Sequence, residues 1–398
     1  MRSAGLAAGA LLALMGDAPG AAAQGSLSGL GFGYPTGQLS TRAMGLGGST
    51  AELDPVTPRN PASLSSWGRS GLHLQYDPEY KRVSASGGAD RTLEARFPLI
   101  AAGTQISRRV SAGISISTLL DRTFTTRSAA TQLVGGTELH SLTTYSSSGG
   151  LNDVRLGVAY TITPNLRVGL GGHVVTGENR VQIFTVFDRE GFLPLNRQSE
   201  VSYNGRSLSA GATWLTGRDF AIGVSGRLES SLRATRADST LRTGRLPSRA
   251  GVSVAYTGLA GVVVSAGANF EQWSAIDGLG SETVAAQDTR EYGIGVEVEG
   301  PRVRGSVVAL RGGFKARTLP FGLTTEPVTI PGVIDLVPGE TSWVKERAWA
   351  FGAGIPLANV GGLSRAALDV AIQSAGRSGL SGVSERGWTL SVGIAVRP

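Results

Sequence analysis

The side chains best placed to do chemistry are two apolar runs set within polar segments. Phe184, Val186, Phe187, Phe192 and Leu193 lie between residues 177 and 201, flanked by Arg180, Arg189 and Arg197. Phe321 and Leu323 open a second run that continues through Val328, Ile330, Val333 and Leu336. Exposed apolar clusters of this kind mark binding surfaces. An arginine beside one can donate charge-assisted hydrogen bonds to a carboxylate. The chemistry on offer is capture of an apolar molecule, with or without an acid group, although a protein partner would use the same surface. Covalent chemistry is poorly supplied. The absence of Cys excludes thiol catalysis and Cys-based zinc sites, and His73, His140 and His173 are too widely spaced for a His-rich metal site. No G-x-S-x-G elbow, H-E-x-x-H pair or P-loop is present. No enzymatic activity and no cofactor are therefore expected.

The elements that must carry these residues have period two. In residues 153–162, Val154, Leu156, Val158, Tyr160 and Ile162 fall on one face, with Asp153, Arg155, Gly157, Ala159 and Thr161 on the other. Residues 291–298, 365–372 and 388–397 repeat the arrangement. Runs of about 9–11 such residues match a tilted crossing of a bilayer. Connections alternate between short turns, near residues 107–109, 163–165, 216–219, 257–261, 299–301 and 359–362, and long polar segments near 121–150, 177–201, 230–246, 272–289, 316–344 and 376–385. Six short turns join twelve strands; a first strand near residues 72–86 and a last near 388–396 bring the expected total to 14, an even number with the loop asymmetry of transmembrane barrels. The predicted fold class is thus all-β: an antiparallel transmembrane barrel. Glu297 and Glu299, an i, i+2 pair on one strand face, then read as lining of its lumen. Tyr160, Trp214 and Tyr256 are expected at the inner interface, and Trp273, Trp343 and Trp388 near the outer one.

Composition agrees. There are 58 Gly in 398 residues, yet 41% of the chain is hydrophobic. No run approaches the ~18 apolar residues of a spanning helix. Of 37 basic residues only Lys81, Lys315 and Lys345 are Lys, and the arginines form no basic runs. Nucleic acid is therefore not an expected partner, whereas outer-membrane lipid and the phosphates of lipopolysaccharide are. Arg2, the apolar residues 4–15 and the small residues ending in Ala21-Ala22-Ala23 have the order of an export signal, so residues 1–23 are expected to be removed. The barrel is assigned to residues 70–398 and an intervening segment to residues 24–69.

That segment does not alternate. It is rich in Gly and X-Pro pairs but keeps Leu30, Phe32, Leu39, Met44 and Leu64 as apolar anchors, which suits irregular backbone enclosed by protein. Its Thr41-Arg42-Ala43-Met44-Gly45-Leu46-Gly47-Gly48 and Asn60-Pro61-Ala62 stretches resemble the N-terminal pattern of the FadL-type outer-membrane transporter family. The resemblance implies a fourteen-stranded barrel in a Gram-negative-type outer membrane. It implies a hatch carrying Arg42, Met44, Gly45, Gly47, Gly48, Asn60, Pro61 and Ala62, and uptake of hydrophobic compounds such as fatty acids or hydrocarbons. Relatives recruited to protein secretion leave a partner-binding barrel open as an alternative, and a polar lumen leaves a porin open. Pro98, which cannot donate to a strand ladder, and Gly113 are the expected gate residues.

Overall fold

The computed structural model describes residues 27–397, apart from residues 30, 69, 86–87, 135–136, 190, 218, 238, 277–283, 304–305, 325–340, 361–363 and 380–382. The expected export signal and the apolar residues 328–337 lie outside the described residues. The N-terminal segment contributes β1 (Tyr34–Pro35), a short helix α1 (Thr41–Gly45) and a 3-10 turn at Pro61–Ser66. Then follow β2 (Gly71–Ala85), β3 (Gly88–Gln105), β4 (Val110–Asp121), β5 (Phe124–Val134), β6 (Thr137–Thr163), β7 (Leu166–Phe187) and β8 (Leu195–Thr216). Next come β9 (Phe220–Arg227), β10 (Ser230–Arg236), β11 (Ser239–Leu246), β12 (Arg249–Leu259), β13 (Val262–Glu271), β14 (Val284–Ala286) and β15 (Thr289–Val303). The last are β16 (Ser306–Thr324), β17 (Thr341–Val360), β18 (Ser364–Ser378) and β19 (Ser384–Arg397).

Among the described residues, β2, β3, β4, β6, β7, β8, β9, β12, β13, β15, β16, β17, β18 and β19 pair in that order. β19 then pairs with β2 and closes a 14-stranded antiparallel barrel. Closure leaves no open edge, the condition for crossing hydrocarbon with strands. Burial is inverted relative to a soluble sheet. Along β6, Asp153 and Arg155 are buried while Leu156 is 64% exposed; Leu170, Leu208, Ile294 and Phe351 are likewise apolar and exposed. An apolar belt outside and a polar face inside are what a bilayer selects.

Three segments expected as long polar loops are mostly paired strand. Residues 124–134 pair with residues 137–147 as β5 and β6, β7 and β8 pair out to Thr185↔Leu195, and β10 pairs with β11. With 27 residues, β6 is roughly two and a half times as long as the ~9–11 residues of a tilted bilayer crossing. Along these extensions the outward face meets water instead of lipid, so the hydrophobic alternation fades while the backbone ladder continues. Trp273, expected at the outer interface, is only 1% exposed; it sits beside Phe321 with ring centroids 6.1 Å apart. Trp214 and Trp388 are outward and half-exposed.

Candidate functional site

The N-terminal segment packs against the inward face of the wall. Ser40 caps α1 by accepting from the Ala43 N–H at 3.0 Å. Asn60 does the same for the 3-10 turn: its Oδ1 accepts from the Ala62 N–H at 2.9 Å, and Pro61 supplies the preset φ of a first helical position. The Asn60 amide also donates to the backbone oxygens of Glu52 (2.7 Å) and Ala212 on β8 (3.2 Å). Glycine on the wall makes room for these contacts. A Cβ on Gly211 would lie 2.1 Å from Asn60 Oδ1, and one on Gly169 would lie 2.4 Å from the Ala62 nitrogen. Within the segment Gly47 has φ +63°, a left-handed conformation suited to Gly. Met44, Gly45 and Gly48 are buried with it.

Charge ties the segment down. Arg42 donates twice to Glu297 on β15, at 2.9 and 3.1 Å, and Arg311 on β16 shares that carboxylate. Arg59 binds Glu291 at 3.1 Å, and Glu52 accepts from Arg249 at 2.6 Å. Tyr34 anchors the other end. Its hydroxyl donates to Glu346 at 2.7 Å and accepts from Arg377 at 2.9 Å; the Arg377 and Arg317 guanidiniums stand 4.4 and 4.8 Å from its ring centroid. Burial raises the Tyr34 phenol above its ordinary range, so it keeps the proton it donates. Asp153, His173 and Ser209 form a further buried chain, with His173 Nδ1 2.9 Å from Asp153 and Nε2 2.8 Å from Ser209 Oγ. Gln38 of the N-terminal segment donates to the same aspartate. This chain went unseen in the sequence because its members sit on three strands with no local motif.

Beside the ionic lattice lies an apolar cluster. Phe32 belongs to one buried cluster with Leu119, Leu120, Leu151, Val175, Tyr203, Leu232, Leu246, Trp273, Ile276 and Phe321, its ring 6.4 Å from that of Tyr203 and 5.9 Å from that of Phe321. Its wall members, such as Leu120, Leu151, Val175 and Leu232, are buried where the lumenal face of the wall is otherwise polar. The signal that marks such positions is a broken alternation, as in Leu119-Leu120 and Val174-Val175.

The cluster adjoins a split in the wall. Pairing of β3 with β4 runs from Gln105↔Ser111 only to Leu99↔Ser117. Beyond that point β4 turns to β1, pairing Leu120 with Pro35 and Asp121 with Tyr34. Phe97 and Pro98 fall in a bulge where β3 slips against β2 between Gln75 and Asp77, and Arg96 bridges the split by pairing with Glu79, Glu94 and Asp121. Pro98 therefore lies at the opening. Gly113, expected to interrupt its strand, instead pairs regularly with Gly103 and Gly157; it faces Leu64, and a Cβ there would come within 2.8 Å of that side chain. Its lack of side chain serves packing rather than a break. Pro98→Ala supplies the missing donor, so slower amide hydrogen exchange is expected around residues 96–99; unchanged exchange would show that the proline does not hold the split open.

The expected ligand residues are not brought together. Phe184, Phe187, Arg189, Phe192 and Leu193 sit at the tip of the β7–β8 hairpin, where the Phe187 and Phe192 rings are 5.9 Å apart and Leu193 is 86% exposed. Phe321 is buried in the lumenal cluster on the opposite part of the ring. For Leu323 the register places the backbone opposite Val284. Among the described residues no group of three or more His, Asp or Glu is arranged to hold a metal ion.

A family model described as BamG matches residues 11–263. No curated protein matches the sequence. Among solved structures, a FadL homologue of Pseudomonas aeruginosa is 12% identical with a TM-score of 0.61, covering 92% of this chain and 99% of its own. The Pseudomonas putida toluene transporter TodX is 14% identical with a TM-score of 0.54 over 91% and 98%. The monoaromatic hydrocarbon channel CymD is 12% identical with a TM-score of 0.51 over 93% and 98%. At these identities the likeness is one of fold.

Proposed function

From the premise that the chain belongs to the BamG family and folds as a FadL-type barrel, we propose that it resides in a Gram-negative-type outer membrane and passes small apolar molecules inward without energy input. The observation that carries this reading is the junction of the Phe32 cluster with the β3–β4 split. An apolar solute entering from outside meets the Phe32 cluster beside the ionic lattice and leaves sideways past Pro98 where the Arg96 ion pairs part. Residues 24–69 act as the hatch, anchored by Arg42, Asn60 and the glycines at 45, 47 and 48. The β7–β8 tip, with Phe184, Phe192, Leu193 and Arg189, is the first capture surface. Fatty acids and uncharged hydrocarbons both fit this chemistry. Structures titled as toluene and monoaromatic hydrocarbon channels share the fold, which supports the uncharged class.

A second reading, a barrel that binds partner proteins such as secretion machinery, is favoured by the same tip. Its exposed aromatic residues stand on strands far longer than a membrane requires, and buried ion pairs fill much of the lumen. Deleting residues 24–66 separates the two. Under the uptake reading, single-channel conductance in planar bilayers rises and toluene entry into vesicles accelerates. If conductance is unchanged and a protein copurifies through the β7–β8 tip, the partner reading replaces it.

A further inference from the structure

On the outside of the wall the strand register sets like charges side by side. Arg82 on β2 is the cross-strand partner of Arg386 on β19 and of Arg91 on β3. Arg386 faces Gly376 on β18, which in turn faces Arg347 on β17. All four arginines are exposed. One step nearer the short turns on the same outward face, these strands carry Trp349, Ser374, Trp388, Tyr80 and Leu93. Trp349, Trp388, Tyr80 and Leu93 are 60%, 47%, 41% and 74% exposed. The arginines thus form the first charged row above the apolar belt, on the rim away from the short turns.

Directly opposed residues hold their Cβ atoms about 4.5–5.5 Å apart, and like charges there repel. Among the described residues no carboxylate forms a salt bridge with Arg82, Arg347 or Arg386; the nearby Glu79, Glu346 and Glu385 point inward and are engaged by Arg377. Hydrocarbon below the row and neighbouring cations along it leave an external anion as the means of relieving the repulsion. The four strand positions from Arg347 to Arg82, spaced about 4.8 Å apart, span roughly 14 Å, enough for more than one phosphate, and a guanidinium fork matches phosphate bidentately. We infer that Arg82, Arg347 and Arg386 hold the phosphates of a phosphorylated outer-leaflet lipid, whose acyl chains lie over Trp349, Trp388 and Tyr80. This site depends on the membrane placement above but not on what passes through the lumen.

The test is native mass spectrometry of the full chain in mild detergent, titrated with bis-phosphorylated lipid A and with the same lipid after its phosphates are removed. The unchanged protein should retain the phosphorylated form about tenfold more strongly, a difference of ~1.4 kcal/mol. The triple variant Arg82→Gln, Arg347→Gln, Arg386→Gln should lose that preference. A control with the same charge loss at the opposite rim, Arg108→Gln, Arg109→Gln, Arg302→Gln, should keep it. Inorganic phosphate in large excess should not displace the lipid. Equal retention of both lipids by the unchanged protein overturns the site whatever the variants do. So does an unaltered preference in the first variant, an equal loss in the control, or displacement by inorganic phosphate. Heat-modifiable migration on gels reports barrel integrity separately, so a failure of the site is distinguishable from a failure of the barrel.

Discussion

Glu346→Ala should destabilise the barrel by roughly 3–5 kcal/mol, the usual consequence of removing one partner from a buried ionic cluster. The Glu346 carboxylate is fully buried and accepts from Arg317 and Arg377, each at 2.7 Å, and from the Tyr34 hydroxyl, with Lys315 3.6 Å away. Truncation leaves Arg317, Arg377 and Lys315 short of one buried carboxylate, with only Glu79 and Glu385 left to Arg377 and Glu291 to Arg317. Substitution by Gln keeps the volume and one acceptor oxygen and should cost less, which makes the pair of variants a measure of charge rather than of packing. Urea unfolding in lipid vesicles, followed by tryptophan fluorescence, gives the free energies. Proteolysis should also cut near Tyr34 faster in Glu346→Ala, since its hydroxyl loses an acceptor. A midpoint within error of the parent protein would mean that the surrounding lattice relaxes around the gap and that Tyr34 is held by other contacts.

The second large effect concerns the opposite face of the wall. Leu156→Arg should cost roughly 2–4 kcal/mol if the residue lies near the bilayer midplane, falling towards zero at the interface. Leu156 is 64% exposed, four residues from the Tyr160 position at the inner rim, and pairs across to Ile114 and Gly172. In detergent micelles, where the headgroup is close at hand, the penalty should shrink. A neutral result in bilayers would place Leu156 outside the hydrocarbon and shift the whole apolar belt along the strands.

Much of this architecture is legible in the sequence because a barrel wall writes its two environments into alternate residues. Asp153-Val154-Arg155-Leu156 declares inside and outside without any tertiary information, and first and last strands expected at residues 72–86 and 388–396 correspond to β2 and β19. The β5–β6 and β10–β11 hairpins were less legible: their outward faces are Ser-, Thr- and Arg-rich, and the few buried apolar residues, such as Leu232 and Leu246, are too sparse to set a hydrophobic period. The site was less accessible still. Phe321 carries no mark distinguishing a lumenal position from a loop, and its contact with Phe32 joins residues on remote parts of the chain. Glu346 and Tyr34 are 312 positions apart, so no local spacing could announce their bond. The N-terminal motif was the exception, since Asn60-Pro61-Ala62 encodes its own cap.

The fit between the N-terminal segment and the glycine-lined wall bears on the order in which the molecule is built. Thr41 meets Ser391, 350 positions away, and β2 meets β19 along the closing seam. Contacts so remote carry the largest chain-entropy cost and form late in an assembling chain. Seating the segment and closing the ring are therefore both expected late in assembly. Backbone lies against backbone where Gly47 approaches Gly293 and Phe314, so a segment out of place there would push the wall strands apart.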